Sequence, residues 1–306
     1  MDQAGHDRTI KELVGRAKTY PFPRQPGSFV FTHGRLYPVP HPAGPWSPEM
    51  EIAEGDRTIT FAELCERIAF EEGDGARPDT QARPATAADY ACAERTPVFG
   101  YSSNASPDAL SHKFAMLPHA VIPSIRCRVA DWDAVFSCHV SRGYIPGAIH
   151  PSPGTELHGT MSWLTDEELE LMNASESLGT NYEFRPLKGA SARFETGETI
   201  LSPWVYFTLH GELRINDLPV AVEGTIADNR RYGVMTEAEI LELARARIAP
   251  EQDLDQMIAS AVESFETQQD LTARLRDCHF TTPGGTPDPP TRHTDSPADR
   301  QDRPAA

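Results

Sequence analysis

The chain has 306 residues with 28 basic and 45 acidic side chains, a formal net charge of −17. So acidic a chain is repelled by nucleic-acid phosphates and by anionic membrane surfaces, so neither is an expected partner. Five widely spread cysteines, an odd number with no C-x-x-C pair, do not make a disulfide framework.

The opening residues lack a basic leader followed by an apolar run, and no stretch approaches ~18 apolar residues. The expectation is a cytoplasmic protein without a membrane span. In chain order, Ile10, Leu13, Val14 and Ala17 form one apolar helical stripe. A proline-rich loop comes next, then SFVFTHGRLYPV, which reads as a hairpin about Gly34. Thr60 and Glu63 form a capping box opening a helix over 61–70. These elements make a small α/β extension over 1–71, expected to pack on the β-rich region downstream. Residues 72–96 have the composition of a linker.

Residues 97–235 carry short β-rich runs, separated mostly by Gly, Pro, Asn or Asp. Asp131 and Asp133, around Trp132, read as solvated turn formers between two strands. Two helices interrupt the runs. One is capped at Ser106 with Pro107 in its first turn, and the other opens with a Thr165–Glu168 capping box. The pattern predicts an α+β fold on a curled, barrel-like mixed sheet with inserted helices. From 236 to 280 the chain turns helical, with Leu254, Met257, Ile258, Ala261, Val262 and Phe265 on one apolar stripe. Residues 281–306, with six of the 27 prolines and no aromatic side chain, are expected to be disordered.

Obvious chemical motifs are scarce. Cys138 and His139 would point to opposite faces of a strand and cannot share a metal. His112, His119, His150 and His158 lack ligand spacing, so no metal site is expected. No G-x-S-x-G elbow, Walker loop or G-x-G-x-x-G is present. One segment is informative. The strand Pro97–Gly100 runs into Tyr101, Ser102, Ser103 and Asn104 and then into a helix, an order that presents backbone N–H groups to an anion. Glu176 comes just after a helix C-terminus, where the helix dipole disfavours a carboxylate.

Several blocks in sequence order resemble the γ-glutamylcyclotransferase-like family across roughly residues 97–210. They are the strand ending in Tyr101-Ser102-Ser103-Asn104, Gly147-Ala148-Ile149, Ser152-Pro153-Gly154, Leu157 to Leu164, the helix from Thr165, Asn173 to Ser177, and Tyr182. The resemblance implies Glu176 as the catalytic acid/base and Tyr101, Ser102, Ser103 and Asn104 as the substrate loop. It also implies a small-molecule γ-glutamyl substrate that cyclises to 5-oxoproline by attack of its own α-amine, a lyase or acyltransferase reaction needing no cofactor. Three positions depart from the family pattern: Ser102 and Ser177 stand where it has glycine, and Asn173 where it has aspartate. If position 102 required φ > 0 or close substrate approach, its serine would be strained or obstructive. A non-catalytic binding or structural protein on the same scaffold is the alternative. Oligomeric state is open.

Overall fold

The protein is seen as a computed structural model that describes residues 3–32, 34–42, 44–72 and 91–280. The expected tail 281–306 and residues 73–90 of the expected linker lie outside the described residues. Helix α1 (Gln3–Ala17) leads into the hairpin β1 (Ser28–Thr32) and β2 (Arg35–Val39), which turns at Gly34 with φ +71°. A small two-stranded sheet follows, β3 (Glu51–Glu54) and β4 (Arg57–Thr60), and then α2 (Phe61–Glu72). The Thr60–Glu63 box closes reciprocally, Glu63 N donating to Thr60 Oγ1 and Thr60 N to the Glu63 carboxylate.

Next come β5 (Thr96–Gly100), α3 (Pro107–Lys113) and two unexpectedly long strands, β6 (Val121–Phe136) and β7 (Gly147–Leu164). The Asp131–Asp133 segment does not end a strand. The β6–β7 register shifts between Ala130 and Trp132, Asp131 takes φ +66°, and pairing resumes at Trp132 opposite Pro151. This bulge absorbs an extra residue and bends the ribbon without cutting it. Asp131 stays outside and accepts from Gly154 N at 2.8 Å. Asp133, expected to be solvated, is fully buried, and Arg230 Nε donates to both of its carboxylate oxygens at 3.1 Å. Ser152-Pro153-Gly154 lies within β7.

Helix α4 (Asp166–Ser175) precedes β8 (Tyr182–Pro186), β9 (Ser191–Phe194), β10 (Thr199–Leu201) and β11 (Trp204–Thr208). The main path is β10-β9-β6-β7-β5-β11-β8, with β11 parallel to β5 and the other path pairs antiparallel. The sheet is mixed and large, but its two path ends do not pair, so it is an open α+β sheet and not a closed barrel. Strand β1 pairs with β6, which brings the N-terminal hairpin into this same sheet.

The remaining helices are α5 (Glu237–Ile248), α6 (Leu254–Glu263) and α7 (Phe265–Arg276). The apolar stripe expected to run from Leu254 to Phe265 is cut at Ser264, whose backbone is extended (φ −136°, ψ 120°) and whose side-chain Oγ caps α7 by accepting from Thr267 N. Met257, Ile258 and Ala261 are buried as expected, whereas Phe265 is 56% exposed. Val14 and Ala17 of α1 share a core cluster with residues of α5, α6 and α7. Among the described residues, no helix is long and apolar enough to cross a membrane.

Two buried carboxyl groups shape the stability of this frame. Glu168 in α4 and Arg95 just before β5 have fully buried side chains and pair at 2.9 Å. Glu168 also accepts from Val121 N and Thr165 N, so one residue ties α4 to β5 and β6. Glu237, at the start of α5, accepts from Ile145 N at 2.7 Å, and burial pushes its carboxyl well above the usual range. The unfolded chain releases this proton above about pH 4.5 while the folded chain keeps it. Its contribution to stability is therefore complete below that pH and is lost as pH rises, at about 1.4 kcal/mol per unit. Glu237→Gln keeps the acceptor for Ile145 and removes the titration. Its thermal midpoint should match the parent near pH 4 and exceed it by several degrees at about pH 8. Parallel pH profiles for the two proteins would contradict this.

Candidate active site

Strand β5 ends at Gly100, which allows the next loop to fold back on it. A Cβ at Gly100 would lie 2.9 Å from the Asn104 backbone, and one at Gly159 on neighbouring β7 would lie 2.4 Å from the Gly100 carbonyl oxygen. Only glycines tolerate this approach. The loop continues as a single 3-10 turn, Ser103–Ala105, closed by Ala105 N on Ser102 O and Ser106 N on Ser103 O. Ser106 occupies the cap position of α3, with Pro107 in the first turn, yet its hydroxyl does not cap the helix. It donates instead to Pro23 O at 2.8 Å. Ser102 has φ −130° and ψ −125°, so the positive φ that would strain a serine there is not adopted.

Opposite the loop, α4 terminates at Glu176, its C-cap residue. The structure brings Glu176 to the loop, with Asn104 Nδ2 donating to Glu176 Oε1 at 2.9 Å. Lys113, the last residue of α3, forms an ion pair with the same oxygen, and the two side chains are only 11% and 12% exposed. This pair answers the dipole argument. A carboxylate at a helix C-terminus is disfavoured, and an ammonium from the C-terminus of a neighbouring helix, where a cation is favoured, offsets it. Ser177 comes next with φ +52°. That left-handed conformation explains the glycine of the family pattern, since Cβ crowding there costs an L residue about 1 kcal/mol. Ser177→Gly should therefore raise stability by roughly 0.5–1 kcal/mol in urea unfolding. A destabilised variant would mean that the serine side chain makes a compensating contact.

All five residues singled out in the sequence, Tyr101, Ser102, Ser103, Asn104 and Glu176, line one cleft. Five tyrosines give it an aromatic wall: Tyr20, Tyr101, Tyr144, Tyr182 and Tyr206. Three of their hydroxyls donate to fixed acceptors, Tyr101 to Tyr206 O (3.0 Å), Tyr182 to Gly147 O (3.1 Å) and Tyr206 to Asn173 Oδ1 (2.7 Å). Burial pushes the Tyr101, Tyr182 and Tyr206 phenols up, and that of Tyr144 to about 12, so these remain neutral hydrogen-bonding groups. Asn173, the departure from aspartate, thus serves as an acceptor that fixes Tyr206.

Lys113, Arg142 and Tyr20 also line the cleft and were not found from the sequence. Two cations face one carboxylate there, a local reversal of the chain's acidic balance. The one hint of Lys113 was indirect, because a glutamate at a helix C-terminus asks for a cation and no basic residue lies within residues 165–176. Arg142 and Tyr20 come from a turn and from the N-terminal segment, with no local signal.

His139 is fully buried, with Nδ1 2.7 Å from Ser137 Oγ, and it does not line the cleft. Among the described residues, one group has metal-ligand spacing, Glu156, His158 and Asp228. Arg128 and Arg193 already neutralise Glu156, His158 Nε2 contacts Asp228 at 2.8 Å, and none of the three lines the cleft.

No protein-family model matches the chain, and no curated protein matches it. Solved structures do. One is described as a γ-glutamyl cyclotransferase (17% identity, TM-score 0.32), covering 39% of this chain and 69% of that one. A protein from Arabidopsis thaliana with a known solution structure is 22% identical (TM-score 0.30), covering 41% of this chain and 72% of its own. An uncharacterized protein from Homo sapiens is 19% identical (TM-score 0.32), covering 39% and 69%. The chain is thus similar to these three over about two fifths of its length.

Proposed function

We propose that the chain is a cyclotransferase acting on γ-glutamyl compounds, with Glu176 as acid and base. The observation that supports this reading is the meeting of Glu176 with the Tyr101–Asn104 loop in one cleft, joined by the Asn104–Glu176 hydrogen bond. Glu176 takes a proton from the substrate ammonium. The freed amine attacks its own γ-carbonyl carbon, closing a five-membered ring and placing charge on the carbonyl oxygen. The bond from that carbon to the attached nitrogen then breaks as Glu176 returns the proton to the departing amine. The ring nitrogen gives its second proton to that amine, which leaves as an ammonium. The products are 5-oxoproline and the ammonium.

The nucleophile belongs to the substrate, so the work of the protein is folding the chain back and handling one proton. Intramolecular attack of this kind reaches effective molarities of about 10⁵–10⁸ M when well oriented. In this reading Lys113 and Arg142 provide the positive potential that draws a carboxylate-bearing substrate into an acidic protein. Incubation with γ-glutamyl dipeptides and γ-glutamyl amines should release 5-oxoproline and amine in equal amounts. A second reading, a binding protein on this scaffold, is favoured by the ion pair of Glu176 with Lys113. Saturable binding of the same compounds without lactam formation would select it.

A further inference from the structure

The segment between α1 and β1 adds a hydroxyl to the cleft. Tyr20 is 5% exposed, and its ring stacks on Tyr144 with centroids 4.8 Å apart. Four residues on, Arg24 donates to the carbonyls of Tyr101 and His158, holding the segment against the loop. The Tyr20 phenol oxygen lies 2.6 Å from Gly147 N and 2.7 Å from Ser102 Oγ. Gly147 leaves room for both hydroxyls, since a Cβ there would stand 2.8 Å from Ser102 Oγ and 3.1 Å from the phenol oxygen.

The hydrogens can be counted. An amide N–H only donates, so Gly147 uses an acceptor site of Tyr20. Two hydroxyl hydrogens remain, one on Tyr20 and one on Ser102, and the bond between the two groups consumes one, whichever donates. Among the described residues neither hydroxyl has a further acceptor, and both residues line the cleft. We infer that the Tyr20–Ser102 hydroxyl pair is a ligand-binding element, donating one hydrogen bond to a carbonyl or carboxylate oxygen of a small molecule in the cleft. The N-terminal segment is thereby part of the site, and the serine that departs from the family glycine has a partner that gives it a use. Burial, which pushes the Tyr20 phenol upward, keeps both hydrogens in place at neutral pH. The inference rests on the cyclotransferase reading only for which oxygen is bound, the substrate's γ-carbonyl or its α-carboxylate.

The test compares Tyr20→Phe, Ser102→Gly and the double variant with the parent. The readouts are thermal midpoint, kcat and KM for 5-oxoproline release, and binding of 5-oxo-L-proline and L-glutamate by calorimetry. Ser102→Gly should stay folded, since Gly147 N still engages the Tyr20 hydroxyl, and lose about ten- to a hundredfold in kcat/KM because the free hydrogen is moved away from the loop. The double variant should lose more than either single one, since each single variant leaves one hydroxyl hydrogen and the double variant leaves none. A loss in kcat assigns the bond to the γ-carbonyl oxygen as charge develops, and a loss in KM assigns it to the carboxylate. Either supports the inference. A parent that turns over, matched by Ser102→Gly, overturns the inference and leaves the reaction standing. A parent that releases no 5-oxoproline defeats the reaction, and binding then decides. Tenfold weaker binding by Ser102→Gly supports the pair, while equal binding, or none by the parent, overturns it.

Discussion

Glu176→Gln should lower 5-oxoproline release by about 10²–10⁴-fold, measured as kcat/KM on a γ-glutamyl dipeptide, with secondary structure unchanged. The size of the effect follows from the single carboxylate assigned to both proton transfers. Glutamine keeps the volume of the side chain and an oxygen for Asn104, so the loop and the end of α4 stay in register. It cannot take a proton from an ammonium. Lys113 loses its counter-charge but keeps some access to water, being 11% exposed, so the variant should fold with at most a modest drop in thermal midpoint. Release within tenfold of the parent would remove Glu176 from the chemistry.

Glu168→Ala should lower the stability of the protein by about 3–5 kcal/mol in urea unfolding. Both members of the Arg95–Glu168 pair are fully buried, so truncation takes a carboxylate partner from a guanidinium held away from water. The same change removes a carboxylate to which Val121 N and Thr165 N donate. Since α4 carries Glu176 at its other end, activity should fall as well, which separates this role from that of an isolated surface capping box. Replacing both partners with methionine should cost less than the single truncation, because two desolvated charges are removed along with their attraction. A loss under 1 kcal/mol for Glu168→Ala would show that Arg95 is satisfied in the folded state without this carboxylate.

Local chemistry made much of this architecture legible. The capping boxes at Thr60 and Thr165, the hairpin at Gly34 and Pro107 in a first turn each depend on residues within four positions of one another, and each is present. The strand–loop–helix at 97–113 and the carboxylate after α4 were legible for the same reason. Misreadings arose where a long-range partner overrode local composition. Asp131 and Asp133 resemble a turn until β7 supplies the paired strand that turns it into a bulge, and Arg230, nearly a hundred residues on, makes Asp133 a buried group. At Ser264 an apolar stripe continues in sequence, but the backbone breaks and Phe265 swings outward.

The sequence alone determined the α+β composition, the helix starts, the substrate-loop candidate and Glu176, because capping, periodicity and motif order act over a few residues. It also held the charge of −17, which suggested a field hostile to an anionic ligand. Tertiary structure decided that the sheet stays open, that Tyr20 crosses from the N-terminal segment to Ser102, and that Lys113 and Arg142 turn the cleft locally positive. None of those pairings has a local signature, since each joins residues far apart in the chain through packing of helices on a shared sheet. Net charge sums over the whole surface, whereas a ligand responds to the few groups that packing places around it.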